Sequence, residues 1–215
     1  MKNKLNIQED LERIVRANYY SEDFELISSF RAYEAEMSGE ERDLLADVVF
    51  ERLCAEGSLV DILFCSIIDV PSAVPVLAEK LSREPQVNQV TRSLIQALKR
   101  YSSDDAYVAV ERFLDSDQEM DALQALAAID FARTLPHLAR LIKKDHYYGV
   151  MLQVFSERIK RVGLEPMIEE LKKSSATNSA SFRTCLQKAL ASKDSNYNPL
   201  NTDQRIALEK AFGLG

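Results

Sequence analysis

The chain has 215 residues, 46% of them hydrophobic and 28% charged, which is enough for a sizeable core and ordinary for a soluble globular protein. Its six glycines and six prolines are too few for the many tight turns of an all-β domain. The net charge of −7 disfavours general nucleic-acid binding, which rests on neutralising phosphates.

Helical signals run along the whole chain. The opening MKNKLNIQED carries two lysines but no apolar run, so no secretory leader is expected. Ser21-Glu22-Asp23 offers a cap and two acids for a first turn, followed by Phe24, Ile27, Phe30 and Tyr33 at helical spacing. Together with Tyr19 and Tyr20, these aromatics are expected to pack in the core rather than to line a ligand box. Ser38 and Glu41 form a capping box ahead of Leu44, Leu45, Val48, Val49 and Leu53. Gly57 sits where a helix C-terminus prefers glycine, and Ser58 with Asp61 starts the next helix. The longest uncharged apolar run, residues 62–68, is far too short to span a bilayer.

Further along, three windows fall into register: AVPVLAEKL (73–81), AYVAVERFL (106–114) and TLPHLARLI (134–142). Pro75, Val108 and Pro136 coincide, as do Leu77, Val110 and Leu138, and Leu81, Leu114 and Ile142. Cys65, Ala97 and Ala125 stand about ten residues before their anchors, with Ile68, Tyr101 and Ile129 three to four residues later. A looser fourth copy is anchored on Pro166, and the anchors are spaced by 33, 28 and 30 residues. Each unit reads as two short amphipathic helices, with the anchor proline in a first turn, where its missing N–H costs nothing. Thr134 is the expected cap of the helix carrying Pro136. A unit this small cannot bury its own apolar face, so neighbours must stack. Residues 192–199 read as a linker, and a last helix capped by Thr202 runs to Phe212, with Gly213 just beyond. The total comes to about ten to twelve helices of roughly 8–18 residues each, and no strand.

This pattern resembles the short HEAT-like repeats first noted in phycobilisome lyases. There an A-L-x-x-I helix and a short acidic turn precede A-V-P-x-L-x-x-L-L. The likeness covers roughly residues 60–142 and extends more loosely to 191; the arginine frequent early in the family's second helix is replaced by Glu119 in one copy. Ankyrin fits less well, since Thr134-Leu135-Pro136-His137 breaks the order of its signature and occurs once. The resemblance implies an all-α fold, a right-handed α-α superhelix. Its parts would be an N-terminal helical cap (1–57), a repeat region (58–191) and a linker with a C-terminal helix (192–215), all in a single domain. It also implies a groove lined by the second helix of each unit, near 58–69, 86–101, 118–131, 147–162 and 179–191. The polar groove residues would be Arg92, Gln96, Lys99, Glu119, Gln124, Gln153, Glu157 and Lys160.

No constellation carries catalytic chemistry. His137 falls at a position the repeat does not need, and Asp145-His146 lie next to each other in a turn, where they cannot orient one another as a dyad. Two histidines nine residues apart with no cysteine near them make a poor metal site. Glycine-rich phosphate loops and the nucleophile elbow are absent. Carboxylate pairs such as Glu40-Glu41, Asp104-Asp105 and Glu169-Glu170 suit helix starts or polar faces. The three cysteines, Cys54, Cys65 and Cys185, form no CxxC and read as free thiols of a reducing, cytoplasmic compartment. Neither a cofactor nor a metal is expected, and no enzymatic activity.

Charge is unevenly spread. Residues 8–61 hold 15 acids and 5 bases, residues 103–121 hold 7 and 1, and residues 133–193 hold 5 and 12. An acidic end of this kind attracts a basic protein partner. The expectation is a non-enzymatic binding module, in one version an inhibitor or immunity protein against a basic nuclease toxin. Glu34, Glu36, Glu40, Glu41, Asp43 and Asp47 would contribute. The alternatives are a HEAT-like DNA glycosylase, a chromophore-lyase-type enzyme, or a general assembly scaffold. A glycosylase would want a cationic groove and aromatics, and this acidic chain has no tryptophan.

Overall fold

The structure is a computed structural model that describes residues 2–18, 23–84, 88–141, 148–191 and 199–214. These residues are all-α, and no strand occurs among them. The helices are α1 (Lys4–Ala17), α2 (Asp23–Ala35), α3 (Gly39–Ala55), α4 (Leu59–Cys65), α5 (Val74–Arg83), α6 (Gln89–Leu98) and α7 (Asp104–Glu111). They continue as α8 (Glu119–Ile129), α9 (Phe131–Leu141), α10 (Tyr148–Val162), α11 (Leu164–Lys173), α12 (Ala180–Ala191) and α13 (Thr202–Phe212). Single 3-10 turns lie at Pro71–Ala73 and Ser175–Asn178. No helix among the described residues is long and apolar enough to cross a membrane.

Two compact units divide the chain, Met1–Val110 and Glu111–Gly215. In the first, α2 packs on α4 and α4 on α6, while α1 packs on α3 and α3 on the Pro71–Ala73 turn that leads into α5. In the second, α8 packs on α10 and α10 on α12, while α9 packs on α11 and α11 on α13. Within each unit, alternate helices therefore form two layers. The residues before Gly57 belong to this same layering, although their sequence does not align with the repeat. Ala97 and Ala125 are fully buried, and their small side chains let neighbouring helices approach.

The core of the first unit centres on Phe30 of α2 and Phe64 of α4, whose rings stack with centroids 4.2 Å apart. Tyr101 joins the ends of α4 and α6: its hydroxyl accepts from the Val70 N–H at 3.2 Å and donates to the Cys65 carbonyl at 3.3 Å. The second unit is held by Phe131 against Phe155 and Phe182 against Phe212.

Local chemistry explains most helix starts. Asn3, Ser38, Ser58, Asn88 and Asn201 each cap a helix in a reciprocal box with the residue three positions on. At the end of α3, Gly57 has φ +57°, and a Cβ there would meet the Leu53 carbonyl oxygen at 2.9 Å, so this terminus requires glycine. Gly213 ends α13 in the same left-handed conformation.

Four sequence expectations are corrected. Thr202 is the first residue of α13, and the cap is Asn201, whose side chain accepts from the Gln204 N–H. Thr134 does not cap α9. That helix starts a turn earlier, at Phe131, because the Asp130 carboxylate accepts the Arg133 N–H at 3.0 Å; Thr134 Oγ1 donates to the Asp130 carbonyl. Pro136 consequently lies inside α9 rather than in its first turn, where it removes one helical N–H. Pro75 and Pro166 do sit in first turns. Finally, Phe24 does not join the core: it is 74% exposed, whereas Phe30 is fully buried and Tyr33 half-buried. Tyr19, Tyr20, Asp145, His146 and residues 192–198 lie outside the described residues.

Candidate functional site

The acidic candidates sit on the end of α2 and along α3. The Ser38 box starts α3, and the spacing of Glu40, Asp43 and Asp47 then places them on one side of it. Glu36, Glu40 and Asp43 are exposed, and among the described residues no cation pairs with them. Glu51 extends the stripe by one further turn. It was readable from its place four residues after Asp47 and was missed. One cation approaches this part of the stripe: Lys4 Nζ lies 2.6 Å from Glu51 and 4.0 Å from Asp47. Its ammonium is held above the usual lysine range, first by the hydrogen bond to Glu51.

Two of the acids are committed to the fold. Glu34 pairs with Arg42 at 2.9 Å. Glu41 accepts the Lys2 main-chain N–H at 2.7 Å and the Ser38 N–H and hydroxyl, both at 3.0 Å. Those donors, the Lys2 N–H foremost, hold its carboxyl down at about 2. Its folded value thus lies below the ordinary 4.5, so its contribution is complete above that pH and is lost as the pH falls toward 2. The Glu41→Gln variant is expected to show a flatter decline of Tm with falling pH across this window. A decline as steep as that of the parent chain would refute the assignment.

Asp10 of α1 faces the same region. It accepts from Lys2 Nζ at 2.8 Å and from the Tyr33 hydroxyl at 3.1 Å, and Lys2 chiefly holds its carboxyl below the usual range. The Lys2 ammonium also stands 4.3 Å from the centre of the Tyr33 ring. Burial and Asp10 together push the Tyr33 phenol up.

The groove candidates divide between the two units. Arg92 is exposed on α6, while Gln96 and Lys99 are half-buried near its end. Glu119, expected on a polar face, is 8% exposed: the side chain lies inward at the start of α8. Gln124 of α8 and Gln153 of α10 are brought together, with Gln124 Nε2 donating to Gln153 Oε1 at 2.9 Å. On α10, Lys160 Nζ pairs with Glu157 at 2.6 Å. Beside them Arg161 donates to the Ala128 carbonyl at 2.8 Å, a second tie between α10 and α8.

His137 is not bare surface. Its Nε2 lies 2.9 Å from Glu111 Oε1, and Arg133 approaches the same carboxylate at 3.9 Å, so the histidine ties α9 to the first residue of its own unit. All three cysteines are free: Cys54 is exposed, and burial pushes the Cys65 thiol up to about 12, which makes it unreactive. Among the described residues no three His, Cys, Asp or Glu side chains converge as metal ligands would. Comparison with protein-family models, curated proteins and solved structures returns no match.

Proposed function

We propose that this chain is a non-enzymatic, protein-binding HEAT-like solenoid that captures a basic partner through the acidic face of its first unit, as an inhibitor or immunity protein would capture a cationic nuclease. The observation that carries this reading is the exposed stripe Glu40, Asp43, Asp47 and Glu51 on α3, continued by Glu36 at the end of α2. The division of charge supports it. Residues 1–110 hold 20 acids and 12 bases, a balance of −8, whereas residues 111–215 hold 14 and 15, a balance of +1. A field of one sign on one unit steers an oppositely charged protein and speeds its capture. The two-layered alternation of helices within each unit favours a repeat scaffold, which offers broad faces rather than one deep cleft.

Capture from native lysate at low salt tests the reading. The expected result is one basic protein, bound one-to-one by light scattering and released as salt is raised. No retained protein, or an acidic one indifferent to salt, would overturn it. A DNA mobility shift with a steep salt slope would favour the nucleic-acid alternative instead.

A further inference from the structure

One register of α6, α8, α10 and α12 repeats glutamine. Gln96, Gln124, Gln153 and Gln187 follow the pairs Leu94-Ile95, Ala122-Leu123, Met151-Leu152 and Cys185-Leu186. Every member of those pairs is buried, whereas Gln153 and Gln187 are exposed and Gln96 and Gln124 half-buried. In the second unit α8 packs on α10 and α10 on α12, so Gln124, Gln153 and Gln187 stand on successive members of one layer.

Two hydrogen bonds are already made along this row. Gln124 donates to Gln153 at 2.9 Å, amide to amide. Gln187 Nε2 donates to the main-chain carbonyl of Leu214 at 3.1 Å, just past the end of α13. The row thus already holds one peptide carbonyl of this chain's own. Each primary amide has two donors and one acceptor oxygen. After the Gln124–Gln153 bond is made, Gln124 keeps a donor and its carbonyl, and Gln153 keeps both donors. A neutral set of donors and acceptors complements the N–H and C=O of a peptide unit, and it offers no net charge to an ion. Beside it on α8, Met120 is 39% exposed one turn before Gln124, an apolar contact for a side chain next to the bound main chain.

We infer that the glutamine row of α8, α10 and α12 binds the main chain of an extended segment of a partner protein, one that sets an apolar side chain against Met120. The row belongs to the second unit and shares no residue with the acidic stripe of α3.

Short random-sequence peptides displayed on phage and selected against the full chain supply the probe, and the selected peptide is then synthesised and titrated. The expected result is about ten-fold weaker binding to the Gln124→Ala/Gln153→Ala double variant, with Tm lowered by no more than the few degrees that one lost exposed hydrogen bond accounts for. The Gln153→Glu variant keeps the shape and removes both donors, and it should show a similar loss. Methylating single main-chain nitrogens of the peptide should find one whose loss matches it. Replacing Glu40, Asp43 and Asp47 by lysine should leave peptide binding unchanged, so failure here and failure of the acidic face are read separately. No selected peptide, or one whose affinity ignores both glutamine variants, would overturn the inference.

Discussion

Replacing Asp61 by alanine is expected to lower the stability of the chain by about 4 kcal/mol. Its carboxylate is completely buried and satisfies three donors: Arg52 Nε at 2.9 Å, the Ser58 N–H at 3.0 Å and the Ser58 hydroxyl at 2.6 Å. It therefore closes the capping box of α4 and fastens α3 to α4 in a single side chain. The alanine variant loses the reciprocal half of the cap, worth about 1 kcal/mol. It also leaves the Arg52 guanidinium, 19% exposed, with its charge uncompensated, which costs about 3 kcal/mol when a buried pair is broken. Urea unfolding followed by circular dichroism checks the loss. A change below about 1 kcal/mol would mean that Arg52 swings out to water and the pair holds little together.

The second large effect is at Phe64. Its ring is fully buried and stacked on Phe30, so it joins α2 to α4 at the centre of the first unit. Phe64→Ala is expected to cost about 3–5 kcal/mol, from lost transfer energy and the cavity left behind. The stacking itself adds about 0.5–1.5 kcal/mol of that coupling, readable in a double-mutant cycle with Phe30→Ala. Phe24→Ala is the contrast. That ring is on the same helix as Phe30 but is 74% exposed, and its removal should change stability by less than about 0.5 kcal/mol. Equal losses at Phe24 and Phe64 would show that the core is wrongly placed.

Phe24 also marks where sequence reading stops. Its spacing to Ile27, Phe30 and Tyr33 is helical, and the helix is there. Spacing alone does not say how wide the buried stripe is, and the partners of α2 place Phe30 inside and Phe24 outside. Capping boxes were legible because both halves lie within four residues, as at Ser38–Glu41 and Ser58–Asp61. Pro136 was misplaced because two local signals compete upstream of it. Thr134 and Asp130 both fit a cap, and Phe131 and Leu135, buried one turn apart, favour the earlier start. Glu119 carried a polar label into a buried position that only the packing of α8 reveals.

The candidate surface follows the same division. That α3 is acidic is plain from its composition; which of its acids are displayed is not. Glu41 was readable in two roles at once, as the partner of Ser38 and as a member of the acidic face, and the capping role takes it. Glu34 is drawn in by Arg42, eight residues away across the α2–α3 turn. The bond between Gln124 and Gln153 joins residues 29 apart and exists only because α8 and α10 are neighbours. No periodicity within one helix could have announced it, although the glutamine recurs in sequence at the same register.

The claim that the first unit captures a basic partner is tested most directly by reversing the stripe. The Glu40→Lys/Asp43→Lys/Asp47→Lys variant changes only exposed side chains, so its Tm should stay close to that of the parent chain. Association of the partner recovered at low salt is then timed against both proteins over a range of ionic strength. The association rate of the reversed chain is expected to be lower by about ten-fold or more at low salt, with the difference shrinking as salt rises. Equal rates for the two chains at low salt would contradict it.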